Sequence, residues 1–203
     1  MRMAKDPIGK FNERSDSLIN ISKAEKADIA AATAVSSYQH TFWIGLLSNI
    51  GKLGNQPPLQ LLSAAVLGAG LLKNNKRLMR TGIRMIAANT LAGLAKNFLK
   101  QRIDRTRPRL LMEEGRYQMA PGSNGAHDHR SFPSGHSACA VAVGRALARE
   151  YPSCREFAHA TAGIIAVSQI ARLTHYPSDV AAGSALGYIS EMLLSKILRV
   201  PGN

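Results

Sequence analysis

Six apolar stretches rich in Ala, Leu and Gly recur along the 203 residues, and they limit the fold more than any other feature. They run over 33–51, 58–72, 81–99, 137–148, 156–171 and 180–198, the first carrying His40. None alternates polar and apolar residues as a half-buried strand does, and their residue types favour helix. The expectation is an all-α chain folded as a six-helix bundle.

A membrane span needs about 20 mainly apolar residues. Most of these stretches are marginal by that measure, and the mean hydropathy of −0.09 is low for a polytopic protein. The many small residues nevertheless suit helices packed closely on one another. The basic run "KNNKRLMR" over 73–80, together with a basic N-terminus, fits the rule that cytoplasmic loops carry the cations. Six spans would then leave the 73–80 loop, the 149–156 turn and both termini in the cytoplasm. The 100–135 region and the turn near His175 would meet on the other face. A cytoplasmic bundle whose apolar stretches are core helices is the alternative. "KQRIDRTRPR" is also strongly basic yet falls on the outer side, which calls for a functional reason. Arg84 and Lys96 interrupt the third stretch and by default face the bundle interior. Residues 1–30 read as a polar basic tail with no apolar core of a signal peptide, and 31–199 as the helical domain.

The chain carries 26 Lys and Arg against 13 Asp and Glu, a net charge of +13, which favours an anionic partner. Nucleic acid fits poorly: aromatics make up only 5%, and the cations gather at helix ends rather than in one basic arm. Cys139 and Cys154 have no metal-ligand spacing and read as two small buried residues. "HDH" at His127 to His129 lies in a polar Gly-rich loop and reads as solvated rather than metal-binding.

Three segments between the apolar stretches carry chemistry. In "KQRIDRTRP", Lys100 and Arg107 are seven apart. On a helix that is two turns, which puts both cations on one face, with Pro108 ending the helix and holding Arg107 extended. Paired cations suit a phosphate, and an arginine grips two of its oxygens. In "FPSGHSACAV", Pro133, Ser134 and Gly135 make a tight turn before an apolar helix, with Ser134 as N-cap. Backbone N–H groups there form an anion site, and His136 is placed to give a proton to a leaving oxygen. In "SQIARLTHYPSDVAAG", His175 and Asp179 are four apart, so the carboxylate can fix the imidazole and leave its other nitrogen as a nucleophile.

Taken in order, Lys100-x6-Arg107-Pro108, Pro133-Ser134-Gly135-His136 and Ser168-Gln169-x5-His175-x3-Asp179 resemble the three-part signature of the type 2 phosphatidic acid phosphatase superfamily. That superfamily also holds bacterial acid phosphatases and vanadium haloperoxidases, and residues from about 40 to 198 resemble its six-helix membrane members. The resemblance implies hydrolysis of a lipid phosphate (phosphatidate, phosphatidylglycerophosphate or a polyprenyl diphosphate) through a phosphohistidine, without metal or cofactor. His175 is then the nucleophile, Asp179 its partner and His136 the acid. Lys100, Arg107 and the backbone of Ser134 and Gly135 hold the phosphate. It also implies a multi-pass protein of a bacterial inner membrane with its site on the non-cytoplasmic face. One departure stands out: the family has Ser-Arg where this chain has Ser168-Gln169. Arg172, three residues on and on the same helical face, is the candidate replacement cation, with Gln169 keeping hydrogen-bond donors. Two other readings stay open: a non-catalytic binder of anionic lipid with a degenerate site, and a vanadate-dependent haloperoxidase.

Overall fold

The computed structural model describes residues 21–39, 41–122 and 127–198; residues 1–20 of the expected tail and His40 lie outside the described residues. Eight α-helices, rather than six, appear among the described residues: α1 (Lys23–Ser36), α2 (Phe42–Lys52), α3 (Gln56–Leu72), α4 (Lys76–Lys100), α5 (Pro108–Glu114), α6 (Gly135–Glu150), α7 (Arg155–Ala171) and α8 (Pro177–Ile197). The first apolar stretch divides between α1 and α2. α1 starts seven residues before 30, on a capping box in which Ser22 and Glu25 satisfy each other's backbone N–H groups, so the expected tail is helical from Lys23 onward. The "loop" at 73–80 is only a turn, because Asn75 caps α4 by accepting from the Leu78 N–H at 3.0 Å.

α6 stands at the centre and packs on α4, α7 and α8, while α3 lies along α4. Small side chains let these helices approach closely: Ala88, Ala92, Ala138, Cys139, Ala142 and Ala146 are buried where α4 and α6 meet their neighbours. At the α6–α8 crossing a Cβ on Gly183 would stand 2.3 Å from the Ser134 carbonyl oxygen, and one on Gly187 2.2 Å from that of Ala138. Only glycine fits there, so α8 rests on the backbone of α6. Cys154 is exposed, against the expectation that both cysteines are buried; it lies in a short 3₁₀ turn before α7.

A small two-stranded sheet, unexpected in an all-α reading, fills part of the link between α4 and α6. Strand β1 (Ile103–Arg105) pairs antiparallel with β2 (Met119–Pro121). The 128–131 segment is pinned beside β1, since Arg107 N–H donates to the Asp128 carbonyl at 2.9 Å and Ser131 N–H to that of Arg105 at 3.1 Å. A second core cluster, built on Ile29, Leu111, Tyr117, Leu173 and Tyr176, ties α1 to this link and to the α7–α8 turn.

Among the described residues no helix is long and apolar enough to cross a membrane. α3, α6 and α7 have 17, 16 and 17 residues, and some polar groups of the helices are turned inward. Arg84 faces Glu150, and the Asn89 amide donates to Gln60 Oε1 at 2.7 Å. Large apolar side chains point outward, with Leu72 91%, Phe157 74% and Leu61 72% exposed.

Candidate active site

The three sequence motifs meet at one end of the bundle, around a cavity of about 430 Å³. Lys100, Arg107, Gly135, His136, Arg172 and His175 all line it.

Lys100 and Arg107 come together by a route different from the expected helix. α4 ends at Lys100, the chain turns into β1, and Pro108 opens α5 instead of closing a helix. Arg107 is extended as expected (φ −68°, ψ 148°). Lys100 Nζ donates to the Arg130 carbonyl at 2.6 Å, and Arg107 Nη1 approaches the Thr174 carbonyl at 3.5 Å. Burial, with Arg107 and Lys96 nearby, lowers the Lys100 ammonium to about 7.

Ser134 caps α6 as expected, its hydroxyl accepting from Ser137 N–H at 3.4 Å. It is fully buried, and its own N–H donates to the Asp179 carbonyl at 3.0 Å. That N–H braces α6 against α8, and of the turn residues it is Gly135 and His136 that line the cavity. His136 follows, its Nε2 buried without a hydrogen-bond partner among the described residues. Burial, and then the charge on His175 and Arg172, depresses its pKa to about 3.

His175 sits in the turn between α7 and α8, 3% exposed. Its Nδ1 lies 3.7 Å from Asp179 Oδ2, an ion-pair separation longer than a hydrogen bond. Burial lowers this imidazole to about 4 despite the carboxylate. Asp179 is the third residue of α8, where Oδ2 accepts from Tyr176 N–H at 2.9 Å and from Ser131 Oγ at 2.5 Å. Burial works to raise its pKa, but its contacts with His175 and Arg105 win and hold it near 2.

Gln169 and Arg172 are placed differently relative to the cavity. Gln169 is wholly buried and its amide donates to the Ile165 carbonyl at 3.2 Å and to Ser168 Oγ at 3.0 Å. Its backbone carbonyl accepts from the Thr174 and His175 N–H groups at 3.2 and 3.3 Å, so its main chain shapes the turn that delivers His175, and the residue does not line the cavity. Arg172, the C-cap of α7, does line it, and its Nη1 has no hydrogen-bond partner among the described residues.

Behind the cavity lies a buried ion-pair system that the sequence did not reveal. Arg105, 2% exposed, bridges two carboxylates: Nη1 to Asp179 Oδ1 at 2.5 Å and Nη2 to Asp28 Oδ2 at 2.7 Å. Burial pulls its pKa down, but Asp179 and Asp28 outweigh this and hold the guanidinium above its ordinary value. Asp28 also takes hydrogen bonds from the Ser178 N–H, at 3.0 Å, and from its hydroxyl. Arg105 Nε donates to the Tyr117 hydroxyl at 3.1 Å, which donates in turn to Glu25 at 2.9 Å. α1 thus reaches Asp179 through one arginine. Lys96 also lines the cavity; its only signal in the sequence was a charge inside an apolar run. His129 is in a short 3₁₀ turn, and no group of His, Cys, Asp or Glu among the described residues is arranged to hold a metal.

Comparison with known proteins accords with this geometry. A solved structure described as a transmembrane PAP2-type phosphatidylglycerolphosphate phosphatase from Bacillus subtilis superposes with a TM-score of 0.62, at 22% identity, covering 95% of this chain and 98% of that one. The fold is therefore shared. A lipid A 1-phosphatase from Rhizobium johnstonii is 40% identical over 96 residues, 47% of this chain and 39% of that protein. Another from Rhizobium etli is 36% identical over 106 residues, 52% of this chain and 45% of that protein. The chain thus matches less than half the length of these relatives. The family model described as the PAP2 superfamily matches residues 81–200, the segment that holds every motif residue around the cavity, and with the shared fold it shows that the chain belongs to the PAP2 superfamily.

Proposed function

We propose that the protein is a membrane-embedded phosphatase that hydrolyses a lipid phosphate through a phosphohistidine. The observation that carries the reading is a cavity with two imidazoles, His136 and His175, set among Lys100, Arg107 and Arg172. Asp179 faces His175 Nδ1, which leaves Nε2 as the nucleophile. Both imidazoles are largely neutral at neutral pH before an anion binds, since their pKa values lie near 3 and 4. That suits His175 for attack at once. His136 needs a proton, and an arriving phosphate anion raises its pKa by offsetting the cations around it.

His175 Nε2 bonds to phosphorus as the P–O bond to the lipid breaks. His136 gives its proton to the leaving oxygen, then takes one from the water that cleaves the N–P bond, releasing inorganic phosphate. Lys100, Arg107, Arg172 and the first N–H groups of α6 stabilise charge on the transferring group. Asp179 holds the imidazole and offsets the positive charge that grows on it. Ser134 and Gln169 serve as braces of the helix start and of the turn. The one sequence feature that favoured a degenerate site is Gln169 in place of arginine, and the position of Arg172 on the cavity wall supports its supplying that cation.

Membrane embedding is supported by the outward apolar side chains, among them Phe42, Trp43, Leu61, Leu72, Phe157 and Ile197. Charges inside the helices are turned to partners or to the cavity, so an average over both faces understates how apolar the outer face is. The cavity end carries "KQRIDRTRPR", and phosphate binding gives its charge a purpose on the non-cytoplasmic side.

Phosphate release from a panel of lipid phosphates by the detergent-solubilised protein is the test. Release is expected with wild type and absent with His175→Ala; equal release by the variant rejects the nucleophile assignment.

A further inference from the structure

Asp179 faces the nucleophile, yet its own anchor is shared with a helix far from the motifs. Arg105 reaches Asp179 with one nitrogen, Nη1 to Oδ1 at 2.5 Å. Its Nη2 goes instead to Asp28 Oδ2 on α1 at 2.7 Å. A guanidinium commonly meets one carboxylate with two parallel N–H groups. With Nη2 taken by Asp28 and Nε by the Tyr117 hydroxyl, no such fork forms on Asp179. Asp179 Oδ2 therefore stays with the Tyr176 N–H and the Ser131 hydroxyl, facing His175 Nδ1 at 3.7 Å. Asp28 also holds the first turn of α8: its Oδ1 accepts from the Ser178 N–H at 3.0 Å, one residue before Asp179.

The charge balance works in the same direction. Arg105 is 2%, Asp28 4% and Asp179 0% exposed. One guanidinium between two carboxylates leaves one negative charge over, and burying a surplus charge is unfavourable. Arg105 and Asp179 alone would make a neutral pair, easier to bury. The surplus has a use at His175. As Nε2 bonds to phosphorus, the electron pair of the breaking P–O bond leaves with the lipid oxygen. The ring keeps its proton on Nδ1 and turns from neutral to cationic. A neutral pair behind it would offer attraction and repulsion in near balance, whereas the group with Asp28 offers a net negative charge. On the cavity side His175 has Lys100, Arg107, Arg172 and His136 around it, and none of these can offset a positive ring.

We propose that Asp28 is a positioning residue for phosphoryl transfer: it holds Arg105 and the start of α8 so that the charge of Asp179 is directed at His175. This rests on the phosphatase reading. α1 carries none of the three motifs, and through Asp28 it takes part in the reaction without touching the substrate.

The full chain in detergent is assayed with phosphatidate, phosphatidylglycerophosphate and farnesyl diphosphate. Asp28→Asn is expected to lower kcat ~10- to 100-fold with KM within ~3-fold of wild type, because Lys100, Arg107 and Arg172 are untouched. Asp28→Glu keeps the charge and should recover most of the loss. Tyr117→Phe cuts the tie between Arg105 and Glu25 without changing a charge; it should lower the melting temperature and leave kcat within ~3-fold. Equal losses of kcat in Asp28→Asn and Tyr117→Phe reduce Asp28 to a structural tie and overturn the proposal, as does a wild-type kcat in Asp28→Asn. A second arm needs no turnover. Orthovanadate bonded to His175 Nε2 makes the ring cationic, whereas orthophosphate binds without that bond. By titration calorimetry Asp28→Asn should weaken vanadate at least ~10-fold and phosphate no more than ~3-fold. If wild type hydrolyses none of the lipids, the phosphatase reading fails separately and the vanadate comparison decides. Equal vanadate affinity in the two proteins, or none in wild type, overturns the positioning role.

Discussion

The two ends of the bundle are both rich in cations and treat them in opposite ways. At the end away from the cavity, Glu150 takes Arg80 Nε at 2.8 Å and Arg84 Nε at 3.2 Å, and its carbonyl takes Arg77 Nε at 2.8 Å. Glu191, wholly buried, takes Arg149 Nε at 2.7 Å and Arg145 Nε at 3.4 Å, while Arg145 lies over the Tyr188 ring at 3.6 Å. Positive charge there is answered from within the chain. At the motif end, Lys96, Lys100 and Arg172 line the cavity with no carboxylate among the lining side chains described. Asp179, buried behind His175, is engaged by Arg105. The contrast separates charge that holds helices together from charge held ready for an anion.

The largest expected effect tests the second kind. Lys100→Gln should lower kcat/KM for a lipid phosphate by about 10²–10³ and leave the melting temperature unchanged or higher, because it removes a buried cation that lacks a carboxylate partner. A large fall in melting temperature with little loss of activity would erase the distinction between the ends. The reverse pattern is expected of Glu191→Gln, which strands Arg145 and Arg149: a loss of about 3 kcal/mol in unfolding free energy, read by denaturant titration, with kcat/KM per folded molecule near wild type.

Next in size is the pair at the end of α7. Arg172→Ala should cost about 10- to 100-fold in phosphate release with little change in stability. Gln169→Ala should instead lower the melting temperature, since a wholly buried side-chain amide and its bonds to Ser168 Oγ and Thr174 Oγ1 are lost. Near-normal turnover in Arg172→Ala would remove Arg172 from phosphate binding. The smallest effect is a pH profile. Lys100 stands at about 7 before an anion binds, so it is charged below that pH and neutral above it. KM should therefore rise as pH climbs past about 7 while kcat changes less, and Lys100→Arg should flatten the rise. A KM that is level across this range with wild type would place Lys100 outside substrate binding.

Much of the site was legible because its chemistry is written in short runs. His136 follows its turn directly, and His175 and Asp179 are one helical turn apart, so residue type and spacing sufficed. The route joining Lys100 to Arg107 was not legible. Two cations seven apart suggest a helix, but β2 and the 128–131 segment pull this stretch into an extended strand, and those partners are distant in sequence. Asp28 was hidden for the same reason: its pairing with Arg105 spans 77 residues and leaves no periodic trace. The six apolar runs located the long helices well. They missed α5, which Pro108 begins and the left-handed Gly115 ends within seven residues, because so short a helix carries little periodicity.

The glycine contacts between α6 and α8 also bear on how rigidly the site is held. Where Gly183 and Gly187 press on the carbonyls of Ser134 and Ala138, main chain meets main chain with no side chain able to swing aside. That seam carries His136 on one helix and Asp179 on the other, so it acts as the fixed jaw of a vice. The opposite wall is made by side chains instead, where Asn55 and Gln56 enter α3. A substitution there changes the shape of the cavity without disturbing the spacing of His136 and Asp179 across the seam.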